Sequence, residues 1–453
     1  MFVRNIIKSG TLRQREDLLS VMEAALRSVD PHEAVRKWME LSGDSLRIGS
    51  DSFDLKAFER IFVVGAGKAG APMAKAVEEM LGGRISAGWI NVRYGYALPS
   101  GRIRIHEAGH PIPDENGVFG TERILRIAEG AGRDDLVIVL ISGGGSALLV
   151  APAPGITLSD IRKTNRLLLE SGAAIGKMNS VRKHISRVKG GLLAKAAFPA
   201  TVVSLVLSDV IGNPLDVIAS GPTVPDTSTF QDAMDVLTRY DLLDKVPESV
   251  LQRLERGVKG LEPETPKPGD RIFSNSSVSI IGDNRIAAEA AVKEAAARRY
   301  NSMLLTTFLE GEAKEVGKFL AALAREEISA GGPLPLPACL ILGGETTVTI
   351  RGDGVGGRNQ EVALSAALAL DGVRGKVMVA SLGTDGTDGP TDAAGGVVDG
   401  RTVERGMQAG LSAIESLSRN DSYTFLKAAG GLLITGPTMT NVNDLMFVCV
   451  VPV

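Results

Sequence analysis

Four stretches hold residue types that could bind an anion or move a phosphoryl group. The first is Gly65-Ala66-Gly67-Lys68-Ala69-Gly70, a glycine turn carrying a lysine. A cation near the positive end of a helix is unfavourable without an anion beside it. Lys68 therefore reads as an anion contact or as a solvent-pointing side chain. The second is Ser142-Gly143-Gly144-Gly145-Ser146, whose three glycines let successive N–H groups converge on an anion. Ser146 does not complete a hydrolase elbow, because Leu148 takes the place of its last glycine. The third is Ser208-Asp209-Val210-Ile211-Gly212-Asn213, past an apolar strand. Asp209 is a candidate base, a metal ligand or a helix N-cap. The fourth spans residues 340–400. There Gly352–Gly357 precedes Arg358 at a helix start, where free N–H groups and a guanidinium fork suit phosphate or carboxylate. It continues into Asp385, Asp388 and Asp392, carboxylates that repel one another unless a cation, donors or water compensates. An anion cradle beside an acidic loop suggests a metal–phosphate substrate.

The elements that must hold these loops are legible from pattern. Apolar runs at Arg60–Val64, Ala87–Val92, Asp135–Ile141 and Thr201–Leu207 read as strands, and Asp135–Ile141 is apolar enough for the middle of a parallel sheet. Amphipathic helices open the chain over 11–42, broken at Asp30-Pro31. Strands are expected at Val278–Ile281, Met303–Thr307, Leu340–Leu342, Thr346–Ile350, Val377–Ala380 and Leu445–Val450, with helices over 285–299, 313–327 and 360–370. Three prolines in 261–270 mark a domain boundary, giving 1–265 and 266–453. Alternating strand and helix argues for α/β layers in both halves.

Other motifs stay two-sided. Gly65–Gly70 satisfies the dinucleotide fingerprint, yet Asn91 and Arg93 stand where a ribose-binding acid is wanted. Lys68 is not a Walker A lysine, since the earlier glycine and following Ser/Thr are missing. The basic run 179–191 carries Arg182, Lys183, His184, Arg187 and Lys189, suited to a solvated face or to a substrate anion. His110, in a proline-pinned loop, is a ligand contact or a hydrogen-bonded structural histidine. Asn441, Asn443 and Asp444 finish an active-site loop or form a turn.

Composition excludes several classes. With 453 residues the chain exceeds one ordinary core. Its 50 Lys+Arg against 53 Asp+Glu, a net charge of −3, provide no general pull toward nucleic acid or anionic membrane. Its 2 cysteines, Cys339 and Cys449, lie in apolar runs and read as core residues. Without a signal-peptide core or a bilayer-length apolar run, a cytoplasmic protein is expected.

The segments GAGKAG, HPIPDE, SGGGSALL, NSVRKHISRVKGG, SDVIGNPLDVIASGPT, GGETTVTIRGDGVGGRNQE, GTDGTDGPTDAAGG and GPTMTNVNDL occur in that order. Together they closely resemble the MOFRL-family glycerate 2-kinases from about residue 10 to the end. The MOFRL letters themselves are replaced near the C-terminus by Asp444-Leu445-Met446-Phe447-Val448. The resemblance implies an N-terminal Rossmann-like parallel sheet and a smaller C-terminal α/β domain, with the site in the cleft between them. It implies ATP-dependent phosphorylation of D-glycerate at the 2-hydroxyl with magnesium, and catalytic roles for Lys68, Asp209 and Arg358. Contacts to substrate and nucleotide are expected from Gly67, the Ser142–Ser146 nest, Arg182, Lys189, Asn213, Glu345, Gly356 and Gly357. Asp385 and Asp388 are the expected magnesium ligands, and a homodimer is the assembly expected if the chain associates. The alternative is an NADPH-dependent hydroxypyruvate reductase, which Gly65–Gly70 and Arg93 would serve. A third reading is a non-catalytic sensor of sugar phosphates or nucleotides.

Overall fold

The structure, a computed structural model, describes residues 3–5, 7–373 and 376–452. It forms two compact units, one of Pro31–Ile281 and one of Met1–Asp30 with Gly282–Val453.

The first unit is built on β1 (Arg60–Ala66), β2 (Ile85–Arg93), β3 (Ile103–Ala108), β4 (Asp135–Ile141), β5 (Thr201–Leu207) and β6 (Ser276–Gly282). Their order across the sheet is β3-β2-β1-β4-β5-β6, and the first five strands are parallel. This is the doubly wound arrangement expected for the N-terminal half. All of β4 is buried, as its composition requires. Val137, Val139 and Ile141 pack on one side with Ile124, Leu125 and Leu193 from the helices Glu115–Glu129 and Leu192–Ala197. Leu136, Ile138 and Leu140, of opposite parity, are equally buried. Each such side chain contributes roughly 1.5–3 kcal/mol. The strand order reverses between β1 and β4. In such sheets the ligand crevice opens beyond the strand C-termini at that reversal. The first two glycine loops lie there.

A small antiparallel sheet (Met39–Ser42, Ser45–Ile48, Asp51–Asp54) replaces the expected end of the opening helices. Gly43, left-handed at φ 61°, and Asp44 make its first turn, and only Met39, Leu46 and Ile48 of these strands are buried. So short a hydrophobic pattern is easily read as helix.

The second unit contains β7 (Asn301–Glu312), β8 (Ala338–Thr347), β9 (Lys376–Gly383), β10 (Gly395–Val398), β11 (Leu432–Leu433) and β12 (Asp444–Val451). The order is β7-β8-β12-β9-β10-β11. Only β7 and β8 are a parallel pair; the remaining neighbours are antiparallel. The expected strand 340–342 and the start of the expected strand 346–350 are one strand, Ala338–Thr347, since Gly343 and Gly344 stay in the ladder opposite Leu445 and Asp444, while 348–350 lie beyond it. Cys339 and Cys449 face each other across β8 and β12, buried and free.

The unit boundaries differ from the expected division at 265/266. The proline-rich stretch is stitched into the first unit: Thr265 Oγ1 donates to Asp226 (2.9 Å), and Glu264 accepts from the Phe230 N–H (2.8 Å). At the other end, helix Leu12–Ser28 packs on helix Asn284–Ala297, and the Lys8 N–H reaches the Gly430 carbonyl at 2.8 Å. Among the described residues no helix is long and apolar enough to cross a membrane.

Candidate active site

In the first unit, the loop after β1 is bound to the loop after β4. The Lys68 N–H donates to Gly143 O (2.8 Å), the Ala69 N–H to Ser142 Oγ (3.0 Å) and the Gly67 N–H to Asn91 O (3.0 Å). Gly67 is held to glycine by this approach, since a Cβ there would lie 2.1 Å from Ser142 Oγ. With these amides spent, Gly65–Gly70 is not a dinucleotide pyrophosphate cradle, which would need them free. Asn91, at the ribose position, is fully buried and spends its side chain on Trp89 Nε1 (3.1 Å) and Leu148 O (2.9 Å).

The anion nest lies one strand over. Gly144 is left-handed at φ 82°. Among the described residues no acceptor takes the Gly143 or Gly144 N–H. A Cβ on Gly144 would sit 2.8 Å from the His110 ring and 3.4 Å from Lys68 Cγ, so both side chains border the nest. Burial, then the charges of Lys68 and Arg93, pull His110 down to about 4, so its ring is neutral at pH 7. His110 Nδ1 is buried with no partner among the described residues. Sequence reading left His110 open as a ligand contact or a structural histidine; a lone histidine beside prolines gave no sign that it would meet a loop over 30 residues away.

Behind the nest runs a chain of hydrogen bonds. Ser146 Oγ lies 3.1 Å from Ser220 Oγ, which donates to Asn179 Oδ1 at 3.1 Å. Lys189 Nζ donates to Ser146 O at 2.7 Å. Ala219 and Ser220 are both left-handed, at φ 50° and 61°. Such backbone costs about 1–3 kcal/mol per residue and persists where surrounding contacts demand it. Ser220 and Asn179 were not foreseen; the turn-like Ser220-Gly221-Pro222 masked a strained, buried hydroxyl.

The basic run divides sharply. Lys183 is paired with Asp226 (3.0 Å), His184 lies 3.1 Å from Glu264, and Arg187 pairs with Glu122. Arg182 and Lys189 meet no carboxylate among the described residues. Burial, then the neighbouring Arg182 charge, draws Lys189 down to about 7. Asp209 lies two residues past β5, on the neighbour of β4, and Asn213 turns the same loop at φ 56°.

In the second unit the expected anion cradle is occupied by the protein itself. Asp388 Oδ1 accepts from the Asn359 N–H (3.1 Å) and Oδ2 from the Gln360 N–H (2.8 Å), capping helix Arg358–Ala369. Gly352–Gly357 is not an open nest either. The Gly354 N–H donates to Arg419 O (2.9 Å) and the Val355 N–H to Asp421 (3.1 Å). A Cβ on Gly356 would meet Ser422 Oγ at 2.2 Å, and one on Gly357 would meet Asp388 at 2.3 Å. These glycines permit close packing.

Arg358 is held by two carboxylates. Nη1 donates to Glu345 (2.6 Å), Nη2 donates to Asp444 Oδ1 (3.0 Å), and Nε lies 2.6 Å from Asp444 Oδ2. Glu345, expected to bind substrate, thus orients Arg358. Burial lifts Asp444 to about 6 against the pull of Arg358. The two expected magnesium ligands sit in different surroundings. Asp388 is committed to helix amides, and Asp385 accepts from Thr387 N and Oγ1, both at 3.1 Å. Among the described residues no cluster of three His, Cys, Asp or Glu side chains fits a metal.

A domain model of unknown function (DUF4147) matches residues 17–255, and the MOFRL family model matches 338–444. A Pyrococcus horikoshii protein named glycerate 2-kinase is 44% identical over 96% of this chain and 97% of its own. An Agrobacterium vitis protein named putative hydroxypyruvate reductase is 43% identical over 95% of this chain and 93% of its own. The crystal structure of a Thermotoga maritima glycerate kinase matches with a TM-score of 0.87 at 43% identity, covering 97% of this chain and 100% of that one.

Proposed function

The chain belongs to the MOFRL-type glycerate 2-kinases, and from that premise we propose that Lys68, Asp209 and Arg358 serve the transfer of the ATP γ-phosphoryl group to D-glycerate. The 2-hydroxyl oxygen bonds to the γ-phosphorus as the bond to the β,γ-bridging oxygen breaks. The products are 2-phosphoglycerate and ADP, and Asp209 takes the hydroxyl proton. Proton transfer of this kind contributes about 10²–10⁴-fold. Lys68 and the open N–H groups of Gly143 and Gly144 stabilise the oxygens that gain charge. Neutral His110 can donate a hydrogen bond there without adding charge. Arg358, fixed by Glu345 and Asp444, is the second cation offered to anionic oxygens. Magnesium enters on the nucleotide phosphates as part of the substrate.

The observation that carries this reading is the meeting of Lys68 with an unfilled amide nest at the reversal of strand order. The reductase reading loses its support in the spent amides of Gly65–Gly70 and the internal Asn91. Incubation with D-glycerate, ATP and magnesium is expected to release ADP. Incubation with hydroxypyruvate and NADPH is expected to leave the cofactor's absorbance unchanged. NADPH oxidation without ADP release would reverse the assignment.

A further inference from the structure

Lys189 and Arg182 are cations set in one pocket without an anion. The pocket, a cavity of ≈ 20 Å³, is walled by Val150, Ile161 and Ile185 and opens beside Ser146. Lys189 Nζ donates to Ser146 O (2.7 Å) and Oγ (3.2 Å). Arg182 donates from Nε to Asn165 Oδ1 (2.9 Å). Among the described residues its Nη groups have no acceptor. Lys183, one residue from Arg182, shows the usual arrangement, with Asp226 at 3.0 Å and Asp216 at 3.4 Å. Buried cations are costly when unpaired. Two of them sharing a cleft mark a place where a ligand supplies the missing charge.

We infer that Lys189 and Arg182 form the subsite for the carboxylate of D-glycerate, and that by fixing this group they select the 2-hydroxyl over the 3-hydroxyl; the inference rests on the kinase reading above. A carboxylate, a small anion, supplies the charge that the pocket lacks. A polyphosphate brings a hydrated metal that apolar walls would exclude. The 2-hydroxyl stands on the carbon next to the carboxylate and the 3-hydroxyl one carbon farther. Anchoring the acid at Ser146, directly after the Gly143–Gly145 nest, therefore places one hydroxyl and not the other against the nest bordered by Lys68.

Lys189→Met keeps the side chain's length and removes its charge. Loss of a charge-assisted contact should raise KM for D-glycerate about 10–100-fold. KM for ATP should stay within about twofold, while 3-phosphoglycerate appears among the products. With uncharged glyceramide, wild type and variant should coincide. The wild-type KM for D-glycerate should climb as pH passes about 7, where the free-enzyme ammonium loses its proton, and this slope should vanish in the variant. Arg182→Gln should move the same constants if Lys189→Met does not fold. A rise confined to ATP, an equal loss for both substrates with a lower melting temperature, or no change would each overturn the assignment. Calorimetric titration of D-glycerate without ATP separates the two readings. If the wild type releases no ADP yet binds D-glycerate more tightly than Lys189→Met does, the subsite stands and the kinase reading falls. If the wild type does not bind D-glycerate, the subsite is refuted.

Discussion

Asp209→Asn is expected to lower kcat about 10²–10⁴-fold, the range that a positioned general base supplies. An amide has the carboxylate's shape, so the loop after β5 should keep its course. What it loses is the capacity to take the proton that leaves the 2-hydroxyl. The loss should fall on kcat with little change in KM for ATP, because the interaction arises as the transition state forms. Steady-state kinetics beside a thermal melt distinguish this from unfolding. An unchanged melting temperature with the predicted loss of turnover supports the assignment, whereas turnover within about twofold of wild type removes Asp209 from the chemistry.

Arg358→Ala is expected to cost about 3–5 kcal/mol of stability, the range for stripping one partner from a buried ion pair. Asp444 is fully buried, and the guanidinium meets both its oxygens at 3.0 and 2.6 Å. Among the described residues only Asn359 Nδ2, at 3.0 Å, would remain to its side chain. The pH dependence has a definite sign. Burial holds Asp444 at about 6, above its ordinary value, and removing Arg358 raises it further. Protonation then relieves the stranded charge, so the deficit against wild type should shrink as the pH falls toward 6 and level off below it. Asp444→Asn in the Arg358→Ala background should recover much of the loss. Urea melts of the three proteins check this. A single variant as stable as wild type would show that the pair does not hold this part of the second unit.

Lys68 and the glycine nest were legible as neighbours of strand ends because a strand and its terminal loop are contiguous in sequence. Asp135–Ile141 declares itself central by composition, and Lys68 and Ser142–Ser146 follow from strand ends. Contacts that close over long sequence separations were not legible. Asp388 reads as one of three mutually repelling loop carboxylates until it is seen to cap a helix 28 residues earlier. Gly352–Gly357 reads as a phosphate loop until the segment 419–422 is found packed on it. Likewise, nothing in the first 30 residues tells that they pack with helix Asn284–Ala297 rather than with the sheet that follows them. Within the basic run, charge alone could not separate the paired Lys183 from the unpaired Lys189; only the positions of Asp216 and Asp226 do so.

The most direct test is the identity of the phosphorylated acid formed from D-glycerate and ATP, read by phosphorus NMR or by direct coupling to enolase. The product expected is 2-phosphoglycerate, formed in step with ADP. Formation of 3-phosphoglycerate, or of no phosphorylated acid at all, would contradict the account.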